Sequence, residues 1–198
     1  NMNKLNILVK SLIACLCITG CLPRDEASIS IEDNIGIMDN ENERNIETSI
    51  LGGGCFWCTE AVFERVKGIK EVISGYAGGD ILNPTYEQIC TGTTGHAEVI
   101  KIIYEPKVIS YEKILQIFAE CHDPTTLNRQ GADVGTQYRS TIMYLSDSQE
   151  KAARLWKESL SDKFVDPVVT EIIPAPKFYK AEEYHQDYYT KNPNQGYC

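Results

Sequence analysis

Three consecutive glycines, Gly52-Gly53-Gly54, separate a short apolar run from a helical pattern that opens Cys55-Phe56-Trp57-Cys58. The apolar run at 48–52 has the length of a buried strand ending in glycine. The segment therefore predicts a strand, a tight turn and a helix, with a cysteine delivered to the helix start. A cysteine there faces unpaired backbone N–H groups and the positive end of the helix dipole, and both favour thiolate over thiol. Residues i and i+3 share a helix face, so Cys58 can reach an oxidised Cys55. Such a site suits sulfur chemistry beside a flat apolar wall.

The rest of the chain supplies a frame for that segment. Residues 57–66 predict a helix with Ala61, Val62 and Val66 on one face and Gly68 as its stop. A strand at 72–76 ends at Gly78-Gly79. A turn-rich connection follows, with one helical turn reaching Cys90. Residues 97–104 predict a strand, and Ser110 opens a helix carrying Ile114, Leu115, Ile117 and Phe118 at helical spacing. A polar loop at 124–135 leads to a strand at 138–145. This order, β-α-β then β-α-β, predicts an α+β fold with a ferredoxin-like split βαβ core, a two-layer sandwich. Additional elements follow. Ser146 and Gln149 form a capping-box pattern before a helix with Ala152, Leu155, Trp156 and Leu160. A strand at 168–173 is halted at Pro174, a helix is expected at 180–190, and an irregular tail ends at Cys198.

The first residues do not fit this frame. Lys4 and a run of about ten mostly apolar residues, too short to span a bilayer, predict an export signal at 1–20. The run ends Ile18-Thr19-Gly20-Cys21, a pattern like a bacterial lipoprotein signal with Cys21 as the lipidated residue. Residues 21–46 are acidic, Asn-rich and without apolar period, and predict a disordered tether. The folded domain is expected at 47–198, exported and anchored at a membrane surface. The net charge of −9, or −11 without residues 1–20, which carry two lysines and no acid, argues against nucleic acid as a partner.

Eight cysteines need sorting. Cys15, Cys17 and Cys21 fall in the N-terminal segment before the domain. The five in the body cannot all pair within one chain, and their spacing lacks the density of a disulfide scaffold. A single CxxC is weak for structural zinc, and none of His96, His122 and His185 has a second histidine at ligand spacing, so no metal is assigned. Cys90 and Cys121 are expected as buried thiols on apolar helix faces.

Six segments then stand in order: Gly-Cys-Phe-Trp-Cys at 54–58, Ser-Gly-Tyr-Ala-Gly-Gly at 74–79, Asn-Pro-Thr-Tyr at 83–86, Thr-Gly-His-Ala-Glu at 94–98, Gly-Thr-Gln-Tyr-Arg-Ser at 135–140 and Tyr-His-Gln-Asp-Tyr-Tyr at 184–189. Together they closely resemble the peptide methionine sulfoxide reductases of the A type, which act on the S epimer. The resemblance covers residues 47–198 and neither leader nor tether.

It implies a thiol-dependent reduction of methionine S-sulfoxide, free or in proteins, by a monomer with no bound cofactor and a thioredoxin-like donor as external reductant. Cys55 would attack the sulfoxide sulfur and become a sulfenic acid. Phe56 and Trp57 match the pocket for the substrate methyl group, where sulfur–aromatic contact is favourable by ~0.3–1.5 kcal/mol. Glu98, with Tyr86 and Tyr138, matches the proton-donating group around the oxygen. A carboxyl serves as acid near neutral pH only where apolar surroundings raise its pKa. Asp133 matches a further acidic position that orients the site. His185 and Arg139 match motif positions and are expected to support the fold. Cys198 matches the resolving cysteine, and Cys58 is a second resolver. A Cys55–Cys58 disulfide is expected first, with Cys198 exchanging in afterwards. Two other readings remain open from residues alone. One is a thioredoxin-like oxidoreductase, on the strength of the CxxC; the other is a non-enzymatic surface lipoprotein.

Overall fold

Residues 46–196 are described by a computed structural model. The leader expected at 1–20, all but the last residue of the tether, and Cys198 lie outside the described residues. Strand β1 (Glu47–Gly52) leads to helix α1 (Phe56–Phe63) and strand β2 (Ile69–Ala77). The short helix α2 (Tyr86–Cys90) then precedes β3 (Ala97–Tyr104) and α3 (Tyr111–Cys121). A small hairpin, β4 (Arg129–Gln130) and β5 (Asp133–Val134), and a 3-10 turn (Thr136–Tyr138) come before β6 (Thr141–Tyr144) and α4 (Asp147–Ser159). Last are β7 (Glu171–Pro174), β8 (Tyr179–Lys180), a second 3-10 turn (Glu183–His185) and α5 (Tyr188–Lys191).

The main sheet runs β7-β6-β1-β3-β2-β8. Its four inner strands have the order and antiparallel pairing of the split βαβ core, with β1 between β3 and β6. Side chains alternate across it as the pleat requires. Leu51, Ile100, Ile102 and Ile142 face the helices, where they pack with Phe63, Ile114, Leu115, Phe118 and Trp156. Ile50, Val99 and Met143 face the other way, under Ile173, Ala175 and Phe178 of the crossing 173–178 segment. β7 runs parallel to β6 at the sheet edge, which is where a strand tolerates Pro174.

Several local expectations change. On α1 the buried stripe is Phe56, Thr59, Glu60 and Phe63, while Val62 is exposed. An acid lies in that stripe because it has partners: Glu60 accepts hydrogen bonds from Ser74 Oγ at 3.0 Å and from the Tyr188 backbone N–H at 3.1 Å. On α4 the buried residues are Gln149, Ala153 and Trp156, with Leu160 just past its end, and Leu155 is 56% exposed. Ser146 does accept from the Gln149 N–H, but the Gln149 side chain turns to Leu145 N and Thr48 O instead of closing the box. A complete capping box stands at Thr85 and Gln88 instead. Tyr138 belongs to a 3-10 turn after Gly135, and β6 begins only at Thr141.

The helix expected at 180–190 is replaced by β8, a 3-10 turn and one turn of α5. Long-range pairing overrides the local pattern there. Tyr179 and Lys180 pair with Tyr76 and Gly75 on β2. The Gln186 amide exchanges hydrogen bonds with the Ser74 backbone, accepting from its N–H and donating to its carbonyl, both at 3.0 Å.

The Glu60 contacts hold α1, β2 and the C-terminal segment together. Glu60 is 1% exposed. Glu60→Ala strands a buried hydroxyl and a half-buried N–H, and it is expected to cost about 2–4 kcal/mol, read as a lower denaturation midpoint. Glu60→Gln keeps an acceptor and should lose less.

Candidate active site

The glycine run does what the turn needs. Gly54 has φ +90°, and a side chain there would drive into Gln130. A Cβ on Gly53 would lie 2.8 Å from the Phe118 ring. The backbone thus passes close over α3 and β4 and presents Cys55 at the N-cap of α1, its carbonyl accepting from Cys58 and Thr59 N–H at 3.2 and 3.4 Å.

Cys55 is half-buried, and its thiol is pushed up to about 12. Burial is the main cause, followed by the Glu98 carboxylate; the N–H groups of Trp57 and Cys58 oppose both but do not prevail. The thiolate expected from the helix start is therefore not the resting form, because desolvation outweighs the helix end.

Glu98 explains the arrangement. It sits near the start of β3, and its backbone oxygen passes within 2.9 Å of where a Gly52 Cβ would stand, so the glycine exit lets the two strands close up. Its side chain is 2% exposed, and Oε2 accepts from the Phe56 N–H at 3.1 Å. Burial raises the carboxyl to about 8, against that hydrogen bond and with help from the Asp133 charge. Glu98 is thus largely protonated at neutral pH. One oxygen is held by the helix N-terminus and the acid proton remains available to a ligand. With Glu98 neutral, its repulsion of Cys55 is absent.

Tyr86 opens α2 and Tyr138 closes the first 3-10 turn. Both phenols are held protonated, chiefly by burial, and both feel the Glu98 charge; Asp133 on β5 also acts on Tyr138. Cys55, Glu98, Tyr138 and Asp133 therefore form one electrostatic group, with Tyr86 beside it.

The aromatic wall is built from α1 and the C-terminal segment. Phe56 is fully buried against Tyr76, its ring centroid 5.8 Å away. Trp57 lies flat on Tyr188 at 3.7 Å and donates its indole N–H to His185 Nδ1 at 3.0 Å. His185 is buried, and burial lowers its pKa, so it is neutral with its proton on Nε2. Tyr188, Glu60 and Glu182 take part in this wall without having been singled out from sequence. Neither Glu60 nor Glu182 carried a readable signal, since the apolar face read from the sequence runs through Ala61, Val62 and Val66 and the buried stripe of α1 is a different one.

Other predicted residues fall into place. His96 is structural, accepting from Gly79 N–H at 3.1 Å and holding the Ile81 carbonyl at 2.8 Å. His122 is buried, lowered to about 4, and bonded to Ser140 Oγ at 2.7 Å. Arg139 pairs with Glu171 at 3.1 Å. Cys121 is half-buried, its thiol bonded to the Phe118 carbonyl. Cys90 is exposed, not buried, because the one-turn α2 buries only Ile89; its thiol meets the Tyr86 phenol. Cys58 is disulfide-bonded, whereas Cys55 is a free thiol. A cavity of about 600 Å³ beside Phe164, Val168 and the end of α4 contains none of these residues.

A thiol at a helix start, a buried neutral carboxylic acid anchored one residue on, and an aromatic wall define a cysteine-dependent oxidoreductase site. Comparison with known proteins gives the family. The profile described as peptide methionine sulfoxide reductase matches residues 47–198. The Rhodopirellula baltica protein named peptide methionine sulfoxide reductase MsrA 1 is 57% identical over 162 residues, covering 82% of this chain and 84% of that protein. Among solved structures, Mxr1 from Saccharomyces cerevisiae in reduced form superposes with a TM-score of 0.75 at 38% identity, covering 78% of this chain and 90% of that one. Mxr1 in complex with Trx2 superposes at 0.54, with 29% identity and coverage of 73% and 86%. The chain belongs to the peptide methionine sulfoxide reductase family.

Proposed function

We propose that this chain reduces methionine S-sulfoxide, free or in proteins, to methionine, with Cys55 as nucleophile, Glu98 as acid and a thioredoxin-like protein as final reductant. The observation that carries the reading is Glu98, buried, raised to about 8 and docked on the N–H of the residue after Cys55.

The sulfoxide methyl rests on Phe56 and Trp57, and its oxygen faces Glu98, Tyr86 and Tyr138, with Asp133 orienting the group. Glu98 donates its proton to the oxygen as the Cys55 sulfur bonds to the sulfoxide sulfur, and the Cys55 proton returns to Glu98. The oxygen leaves as water, and a second water cleaves the sulfur–sulfur adduct. Sulfoxide and thiol have then become thioether and sulfenic acid. Fixing methyl, oxygen and the line of attack around a pyramidal sulfur selects one epimer.

Cys58 condenses with the sulfenic acid, releasing water and forming Cys55–Cys58. Cys198 then attacks Cys58 and frees Cys55, and a dithiol donor reduces the second disulfide. Cys58 is bonded while Cys55 is free, so Cys58 can form a disulfide other than that to Cys55, as the relay requires; the yeast Mxr1–Trx2 complex supports the donor. Mass mapping during turnover should find Cys55–Cys58 before Cys58–Cys198; Cys55–Cys198 alone would exclude the relay.

Residues 1–20 act as a lipoprotein signal, with Cys21 lipidated, that places a monomeric enzyme at a membrane surface. Cys21→Ser is expected to abolish labelled fatty-acid incorporation and move the protein from membrane to soluble fraction. The activity itself is tested on reduced protein stripped of excess thiol and given one epimer at a time. Methionine should form from the S epimer only. Methionine from neither epimer, with the thiols still reducing a test disulfide, would favour a thioredoxin-like activity.

A further inference from the structure

We propose that Glu182 is a positioning residue for sulfoxide reduction, locking the proton-donating side of the site to the methyl-binding side. This rests on the function proposed above. Glu182 directly precedes the second 3-10 turn, and its carboxylate reaches three elements. Oε1 accepts from the Tyr86 backbone N–H at 2.9 Å, at the first residue of α2. Oε2 accepts from the Tyr76 phenol at 2.8 Å, and Tyr76 backs Phe56. The same Oε2 lies 4.0 Å from His185 Nε2, an ion–dipole contact too long for a hydrogen bond.

That last contact bears on Trp57. His185 Nδ1 accepts from the Trp57 indole, so Nε2 carries the proton, and no hydrogen-bond partner meets it among the described residues. A carboxylate on the Nε2–H side favours this tautomer and strengthens Nδ1 as acceptor. The imidazole is also wedged between the two sides, its centroid 4.3 Å from Tyr86 and 5.6 Å from Trp57. Glu182 is one-third exposed, its side chain at 33%. A change there perturbs the site with less risk to the core than a change at Glu60.

The chain has two tryptophans, and they differ: Trp57 Nε1 is hydrogen-bonded and Trp156 Nε1 has no partner among the described residues. In ¹⁵N-labelled protein the two indole N–H signals are assigned with Trp156→Phe. Glu182→Gln is expected to move the Trp57 signal upfield and leave that of Trp156 in place. It should slow single-turnover methionine formation by about tenfold or more at an unchanged melting temperature. In a Trp57→Phe background the same change should cost much less, since the lost alignment is already gone.

A Glu182→Gln protein with the unsubstituted rate and indole signal would overturn the proposal. So would a slowed rate with a lowered melting temperature and an unmoved indole signal, which marks a purely stabilising role. Absence of turnover in the unsubstituted chain overturns the function, and this role with it. Turnover there with an unmoved signal in Glu182→Gln overturns the role alone.

Discussion

Cys55→Ser is expected to reduce methionine formation in a single turnover from about one equivalent per chain to none. A serine hydroxyl at the start of α1 keeps the shape of the site but cannot become a sulfenic acid or enter a disulfide. Cys58→Ser and Cys198→Ser should behave differently. Each retains the first equivalent and fails in multiple turnover with a thioredoxin-like donor, because each acts after sulfoxide is consumed. Cys121→Ser, on α3 with its thiol spent on the Phe118 carbonyl, should leave both phases intact. Rapid-quench chromatography of methionine on these variants separates the two phases. A full first equivalent from Cys55→Ser would remove Cys55 from the chemistry.

Glu98→Gln is expected to slow that first equivalent by about 10²–10⁴-fold. The amide still accepts from the Phe56 N–H, so fold and pocket are preserved while the acidic proton is lost. The pH dependence has a definite sign. The Glu98 carboxyl is raised to about 8 in the folded protein, mainly by burial. Its acid form is therefore present below pH 8 and lost as pH rises through about 8. The single-turnover rate of the unsubstituted chain should fall across that window, and in Glu98→Gln the fall should vanish. An alkaline rise instead, following Cys55 ionisation, would mean that the thiolate supply and not the acid limits the step. The direction discriminates because Cys55 is itself pushed upward, by burial and by Glu98.

The parts of the fold legible in the sequence were those in which local pattern and tertiary demand agree. The apolar run before Gly52 is central strand β1, the 97–104 strand matches in both bounds, and the two βαβ units give the inner strand order. Elsewhere, distant contacts decided. Residues 180–190 have a plausible helical pattern, yet Tyr179, Glu182 and Gln186 each bond to β2 or α2, and those bonds set the backbone. The site shows the same division. The residues expected around the sulfoxide could be named from their motifs. The protonation of Cys55 could not, since a helix start argues for thiolate and only burial beside Glu98 reverses it. Glu182 was illegible because nothing in a surface-like Ala-Glu-Glu-Tyr shows that one carboxylate turns inward to Tyr76 and Tyr86.

The most direct measurement is to trap the intermediate. A chain carrying Cys58→Ser and Cys198→Ser, reduced and freed of excess thiol, is given the S epimer in the presence of a sulfenic-acid-selective dione, then digested and mapped by mass spectrometry. About one methionine per chain with the adduct on Cys55 is the predicted result. Methionine without an adduct on Cys55, or with the adduct on Cys90 or Cys121, would contradict attack by Cys55 on the sulfoxide.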